Sequence, residues 1–198
     1  MKASPRSAPG RVRIIGGRWR GTRLPVPDVP GLRPTPDRVR ETVFNWLQPV
    51  VPGARVLDLF AGSGAFGLES LSRGAAQALL VERDRAACEA LRATVAKLDA
   101  AGEATVIEAD ALTLLRAPLH GRFDIVFVDP PFQADAWDAV LATLPAWLAD
   151  DAMLYLEAPE DRPWTLPAGW RPHREGRTRE TAYGLFRRVV PQVAAAPG

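Results

Sequence analysis

Apolar positions in this chain recur with two different periods, and the change from one to the other marks out its elements. Four short runs, RVLDLF, AQALLVE, ATVIEAD and FDIVFVD, are almost continuously apolar and rich in β-branched residues, the pattern of strands buried on both faces. The intervals between them read as helices, and Cys88, Leu91, Val95 and Leu98 share one stripe in the second. A βαβαβ order followed by a further strand predicts an α/β fold with a parallel sheet covered by helices on both faces. Upstream, Val39, Val43, Trp46 and Leu47 fall on one side of a helix expected to open with Thr35 as N-cap, Pro36 at the first position and Asp37 in the first turn. Downstream, Trp137, Val140, Leu141, Leu144 and Leu148 repeat at helical spacing, and Pro145 is expected to kink or divide that helix. AMLYLEA reads as a fifth strand, and GWRPHREGRTRETAYGLFRRVV as two antiparallel strands turning around Glu175 and Gly176.

Ahead of the first helix, RVRIIGGRWRGTRLPVP alternates apolar and basic residues around Gly16 and Gly17, which predicts a short hairpin; PGLRPTP then runs extended. The Pro/Ala/Gly-rich ends, residues 1–10 and 191–198, are expected to fray. Residues 11–190 are left as one domain, an arm over 11–34 followed by a core over 35–190.

Composition narrows the class. A chain of 198 residues with 47% hydrophobic content fits one such domain and its core. No apolar run approaches the roughly 18 residues that span a bilayer. The start, MKASPRSAPG, lacks the apolar stretch of a secretory signal, so a cytoplasmic protein is expected. Cys88 is the only cysteine, which rules out an internal disulfide, and without further thiols or a histidine cluster no metal site is expected. His120 and His173 stand alone in polar stretches and are expected at the surface.

The net charge of +2 conceals an asymmetry: residues 1–40 hold ten Lys/Arg against two Asp/Glu, or +8, which leaves −6 for the remainder. A basic arm on a nearly neutral body suits contact with a phosphate backbone, where neutralisation releases counterions. Ile14, Ile15, Trp19 and Leu24 interleave with Arg13, Arg18, Arg20 and Arg23, so the arm is more than a solvated charge run.

RVLDLFAGSGAFG places Asp58 at the end of the first strand and Gly62, Gly64 and Gly67 in the turn that follows. Glycines let a backbone approach a ligand closely where the first strand of a doubly wound sheet ends. GSGAFG also satisfies the dinucleotide pattern, with Glu82 twenty residues after Gly62, so the loop alone allows NAD or another adenine nucleoside. The acids favour S-adenosylmethionine. Asp58 suits a cationic sulfonium and amino group better than a pyrophosphate; Glu82 can accept from ribose hydroxyls; Asp110, past the third strand, can accept from the adenine amine. Any one of these acids alone is explained as well by capping or by an arginine pair.

Together, IIGGRWRGTRLPVP, GLRPTPDRVRETVFNWL, LDLFAGSGAFGLESLSRGA and VFVDPPF resemble the bacterial 16S ribosomal RNA guanine-N2 methyltransferases of the RsmD type, from about Arg11 to Arg188. The resemblance implies a Rossmann-like class I methyltransferase fold with a seven-stranded, mostly parallel sheet ordered 3-2-1-4-5-7-6. It implies S-adenosylmethionine as cofactor and 16S rRNA as partner, in an assembling small subunit, with no membrane and no metal; nothing demands more than a monomer. It adds Arg38, Phe60, Ser63, Arg83 and Ala111 to Asp58, Gly62, Gly64, Glu82, Asp110 and Asp129 around the donor. Arg33, Thr35 and Arg38 become candidates for holding the donor carboxylate or ordering that edge. Arg13, Arg18, Trp19, Arg20, Arg23 and Arg33 become the candidate RNA contacts.

VFVDPPF itself supplies the chemistry. An exocyclic purine amine is a poor nucleophile because its lone pair is delocalised into the ring. If Asp129 accepts one N–H and the carbonyl of Pro130 the other, the lone pair is steered toward the methyl donor, and the carboxylate stabilises the positive charge that develops. Pro130 and Pro131 stiffen the turn. Phe132 can stack on an extruded base, a contact worth about 1–3 kcal/mol. The motif admits adenine N6, cytosine N4, guanine N2 or a glutamine amide; Asp in first position tilts away from the adenine and glutamine enzymes, which more often carry Asn. An adenine-N6 methyltransferase and a non-catalytic assembly factor remain the alternatives, with a nicotinamide enzyme behind them.

Overall fold

The arm begins with β1 (Val12–Arg13), paired antiparallel with β2 (Arg23–Leu24). The computed structural model describes residues 12–26, 35–131, 136–162 and 164–189. Gly17 lies at φ +74°, and a Cβ there would stand 1.8 Å from the carbonyl oxygen of Ser72, so the arm approaches the core at a point only glycine permits. Then comes α1 (Asp37–Leu47), which buries Val39, Val43, Phe44 and Leu47 as its spacing predicts, with Trp46 partly buried against Tyr183. Its N-cap is Pro36, without a side-chain cap. Thr35 is therefore not the cap the sequence suggested; its hydroxyl points elsewhere, into the candidate site.

The apolar runs become β3 (Arg55–Asp58), β4 (Gln77–Glu82), β5 (Ala104–Glu108) and β6 (Phe123–Val128), separated by α2 (Gly67–Ser72), α3 (Arg85–Lys97) and α4 (Ala111–Leu115). Each pairs in parallel with its neighbour. Next, α5 (Trp137–Thr143) passes into a 3-10 turn, Leu144–Trp147, with Pro145 in its opening positions, so the proline divides the helical stretch. Leu148, expected in the helix, instead starts β7 (Leu148–Pro159), which runs parallel to β6. The antiparallel pair β8 (Trp170–Arg177) and β9 (Thr181–Arg188) completes the sheet.

The order is β5-β4-β3-β6-β7-β9-β8; counted from the sheet's own first strand it reads 3-2-1-4-5-7-6. Alternation along the strands divides the core between two faces. Val56, Leu80, Ile125, Phe127 and Tyr155 pack with α1, α2 and the arm; Leu57, Val81, Val126, Val128 and Leu156 pack with α4 and α5. One turn differs from expectation. Glu175 and Gly176 remain paired with Gly184 and Tyr183, and the chain reverses over Thr178–Glu180. There the Thr178 hydroxyl accepts from the backbone N–H groups of Glu180 and Thr181, at 3.2 and 2.9 Å, and holds the turn.

Candidate active site

Parallel strands that stop in register bring their final acids to one edge, and this sheet does so at its carboxyl end. Asp58 ends β3, Glu82 ends β4, and Asp129 follows β6 by one residue, with Leu59 N–H donating to the Phe127 carbonyl at 3.1 Å. Between them the chain after β3 makes the glycine loop. Gly62 and Gly64 lie at φ +51° and +77°, and a Cβ on Gly64 would come within 2.7 Å of Leu91, so the tight course of this loop depends on their missing side chains. Ser63 is buried, Phe60 half-buried.

The acids hold the loop as well as lining it. Asp58 Oδ2 accepts from Gly67 N–H at 3.0 Å, at the start of α2. Glu82 accepts from Gly62 N–H at 2.9 Å and from Asp84 N–H at 2.8 Å, one on each oxygen. Asp110 caps α4, accepting from Thr113 N–H at 2.9 Å, and is exposed; Ala111 begins that helix and is buried. Arg38 and Arg83 are exposed at the rim. Cys88, buried beneath Glu82, donates to its carbonyl, and burial pushes the thiol up to about 11, so it is inert at neutral pH.

Asp58 is 3% exposed, and burial, with the charge of Glu82 adding to it, pushes its pKa up to about 7 against the opposing N–H bonds of Gly67 and Phe60. Asp129 is raised well above the ordinary carboxylate range, by burial first and then by the charges of Glu157 and Asp58. Glu157, near the end of β7, is 4% exposed and also raised, chiefly by burial. Among the described residues neither Asp129 nor Glu157 has an arginine or lysine ion-pair partner, and no cation contributes to the shift of Asp58. A buried set of acids lacking compensating cations is a fit for a positively charged ligand group, as a sulfonium is.

Three residues join this set that motif reading passed over as site residues or left with another role. The Thr35 hydroxyl lies 3.0 Å from Asp129 Oδ2 and 3.1 Å from Glu157 Oε2, and Tyr155 donates to Glu157 Oε2 at 2.6 Å. Beneath them Phe66 stacks on Phe127 with centroids 4.7 Å apart, and Tyr155 packs against Phe66 at 4.9 Å. On the other side the Trp137 indole donates to the Glu157 carbonyl at 2.8 Å. The strand ends carrying Asp129 and Glu157 are thereby held from both faces of the sheet. Pro130 is buried and Pro131 half-buried; Phe132 and Arg33 lie outside the described residues.

The arm docks through two further buried charges. Glu69, fully buried on α2, accepts from Ile15 N–H at 2.6 Å, Gly16 N–H at 2.8 Å and Arg73 Nε at 2.6 Å. Arg40, also fully buried, donates to the Arg13 carbonyl at 2.8 Å, to Asp37 at 2.6 Å and to the Ala65 carbonyl at 3.4 Å. Of the arm's candidate contacts, Arg13 pairs with Asp37 at 2.9 Å, and Arg18 pairs with Glu103 and lies over the Trp19 ring, 4.1 Å from its centroid. Arg20 and Arg23 are exposed and have no ion-pair partner among the described residues.

Comparison with known proteins agrees with this geometry. Residues 12–187 match the family described as Conserved hypothetical protein 95. The Ribosomal RNA small subunit methyltransferase D of Escherichia coli K12 is 50% identical over 191 residues, covering 95% of this chain and 96% of that protein. Its Haemophilus influenzae namesake is 40% identical over 184 residues, covering 91% and 95%. The solved structure of a putative methyltransferase, yhhF, from Escherichia coli superposes with a TM-score of 0.83 at 47% identity, over 91% of this chain and 99% of that one.

Proposed function

The chain belongs to the family described as Conserved hypothetical protein 95 and is an S-adenosylmethionine-dependent methyltransferase, and from that premise we propose that it methylates the exocyclic N2 amine of a guanine in 16S ribosomal RNA. One observation carries this reading: half-buried Asp129 of the DPP turn stands beside buried Asp58 and the glycine loop, in an acidic set with no ion-pair partner among the described residues. The near-full-length likeness to small-subunit rRNA methyltransferases supplies the RNA.

S-adenosylmethionine, when bound, supplies the electrophilic methyl group. Asp58, the Gly62–Gly64 loop, Glu82 and Asp110 are the residues that would hold it, with Phe60, Ser63, Arg83 and Ala111 around them and Arg38 at the rim. Asp129 accepts one N–H of the target amine through the carboxyl face that Thr35 leaves open, and the Pro130 carbonyl accepts the other. Both hold the nitrogen in place, and Asp129 stabilises the positive charge as it develops on nitrogen. Phe132 takes the base face. Arg20 and Arg23 are the arm's foremost phosphate contacts, with Arg13, Arg18, Trp19 and Arg33 behind them. We place the reaction on an assembling small subunit in the cytoplasm, with the enzyme as a monomer; no described helix is long and apolar enough to cross a membrane.

Incubation of the purified protein with methyl-labelled donor and 16S rRNA, followed by nucleoside analysis, tests the reading. Label in N2-methylguanosine is the expected result, and Asp129→Ala is expected to lower kcat by about 10²-fold or more. Label confined to adenine would overturn the guanine assignment.

A further inference from the structure

Thr35 stands between two carboxyl groups, its oxygen 3.0 Å from Asp129 Oδ2 and 3.1 Å from Glu157 Oε2. A hydroxyl has one proton, so it donates to one carboxyl group only. The other contact, oxygen to oxygen at hydrogen-bond distance, becomes a full hydrogen bond when the carboxyl group itself carries a proton. Tyr155 does not supply it, because its single proton goes to Glu157 Oε2 at 2.6 Å. We propose that Asp129 and Glu157 hold one proton between them, and that the Thr35 hydroxyl passes it from Asp129 to Glu157 when the target amine enters. Thr35, Glu157 and Tyr155 act through Asp129 and are positioning residues; the inference rests on the methyl-transfer reading above.

The surroundings favour a single shared charge. Asp58 faces the pair from β3, Tyr155 from β7, and Thr181 and Tyr183 from β9; Thr181 hydrogen-bonds Glu157, and Tyr183 bears on Tyr155. All of these groups are acidic or neutral. Two ionised carboxylates joined through one hydroxyl, in a buried site, would repel each other, whereas one proton between them leaves a single negative charge. Burial raises the proton affinity of both groups and of the Tyr155 hydroxyl, which keeps Tyr155 a donor.

The transfer balances without any added reactant. The Asp129 Oδ2–H bond breaks as Thr35 Oγ1 takes that proton, and the original Thr35 O–H bond breaks as Glu157 Oε2–H forms. The total charge is unchanged; the negative charge moves from Glu157 to Asp129. Asp129 then accepts the one proton the amine releases for each methyl it gains, and returns it to water as the product leaves. A resting Asp129 that is neutral avoids an isolated buried charge, and a charged Asp129 appears where nitrogen turns positive.

The test is the titration of the 13C-labelled Asp129 carboxyl in the full chain, wild type and Glu157→Gln, together with kcat and KM on 16S rRNA for wild type, Thr35→Val and Thr35→Ser, and thermal melts of each. Glu157→Gln removes the like charge that holds the proton on Asp129, so in the free protein the Asp129 carboxyl should titrate about one unit lower than in wild type. Thr35→Val should lower kcat about tenfold with KM for RNA nearly unchanged, and Thr35→Ser should restore it. An Asp129 midpoint that stays in place in Glu157→Gln overturns the proposal, since a merely structural role would change rate or melting without moving it. If wild type methylates no RNA, the methyl-transfer reading fails on its own, and the shared proton is judged on the free protein. There the 13C-labelled Asp129 carboxyl should titrate lower in Glu157→Gln than in wild type, and an unmoved midpoint overturns it. Should Glu157→Gln not fold, the wild-type titration decides: the two carboxyl groups should lose their protons in two well-separated steps, and a single common step overturns the proposal.

Discussion

Asp58 keeps its proton through the range where most aspartates have lost theirs, because burial pushes its pKa from 3.8 to about 7. The folded state therefore binds this proton more tightly than the unfolded chain does. Its contribution to stability is fully present below about pH 4 and is lost as pH rises through about 7, a shift on the order of 4 kcal/mol. Asp58→Asn should flatten the fall in Tm between pH 4 and 7; a curve as steep as wild type would place that fall on other groups. A cationic donor reverses the preference and draws the proton off. Binding of S-adenosylmethionine near pH 7 should therefore release about half a proton, read by calorimetry in buffers of different ionisation enthalpy, and the release should vanish in Asp58→Asn. Asp129 was legible from its DPPF motif, and Asp58, Glu82 and Asp110, closing three successive apolar runs, as a set, since a carboxylate closing an apolar run is an expensive place for a charge; Asp110 proves to be an exposed cap of α4. Glu157 carries the same signal in LYLEA, so that rule reaches it too. Thr35 could not be read this way, because a threonine before Pro36 and Asp37 has the local pattern of a cap, and only the approach of β6 and β7 gives its hydroxyl another partner.

The arm and α2 share one buried joint. Glu69 and Arg40 were not legible as its parts: Arg40 sits within the stripe of Val39, Val43 and Phe44, where spacing predicts core, and nothing local shows that Ile15 and Gly16 arrive to be bound. Glu69→Ala leaves two backbone N–H groups and the Arg73 guanidinium without their acceptor. It should cost about 3–5 kcal/mol and speed hydrogen exchange at Ile15 and Gly16 ahead of the sheet; uniform exchange across the chain would mean that the joint is not separable from the core. Ion pairing also sorts the arm's arginines. Reversal of Arg18 would place it against Glu103 and disturb docking, so Arg20→Glu with Arg23→Glu is the cleaner probe. The pair should weaken RNA binding and reduce its salt dependence by about 0.7 per lost contact, with donor affinity nearly unchanged. Equal loss of both affinities would show that the arm shapes the donor site instead of reaching for RNA.

Across the whole molecule, the parallel centre of the sheet followed from four apolar runs, and its order 3-2-1-4-5-7-6 from the resemblance. The last turn was displaced from Glu175–Gly176 to Thr178–Glu180, because a threonine hydroxyl took two backbone donors that local turn preference could not anticipate. The edge of β3, β4 and β6 then gathers acids with no ion-pair partner among the described residues, and the arm puts its exposed positive charge on the same chain. That division of charge is the basis of the central claim, that a cationic methyl donor and a polyanionic RNA meet at Asp129. Nucleoside mass spectrometry of 16S rRNA from cells with the wild-type gene, without it, and with Asp129→Ala tests it most directly. The account predicts one N2-methylguanosine present in the first and absent from the other two. The same methylated guanosine in all three, or a loss confined to methyladenosine, would contradict it.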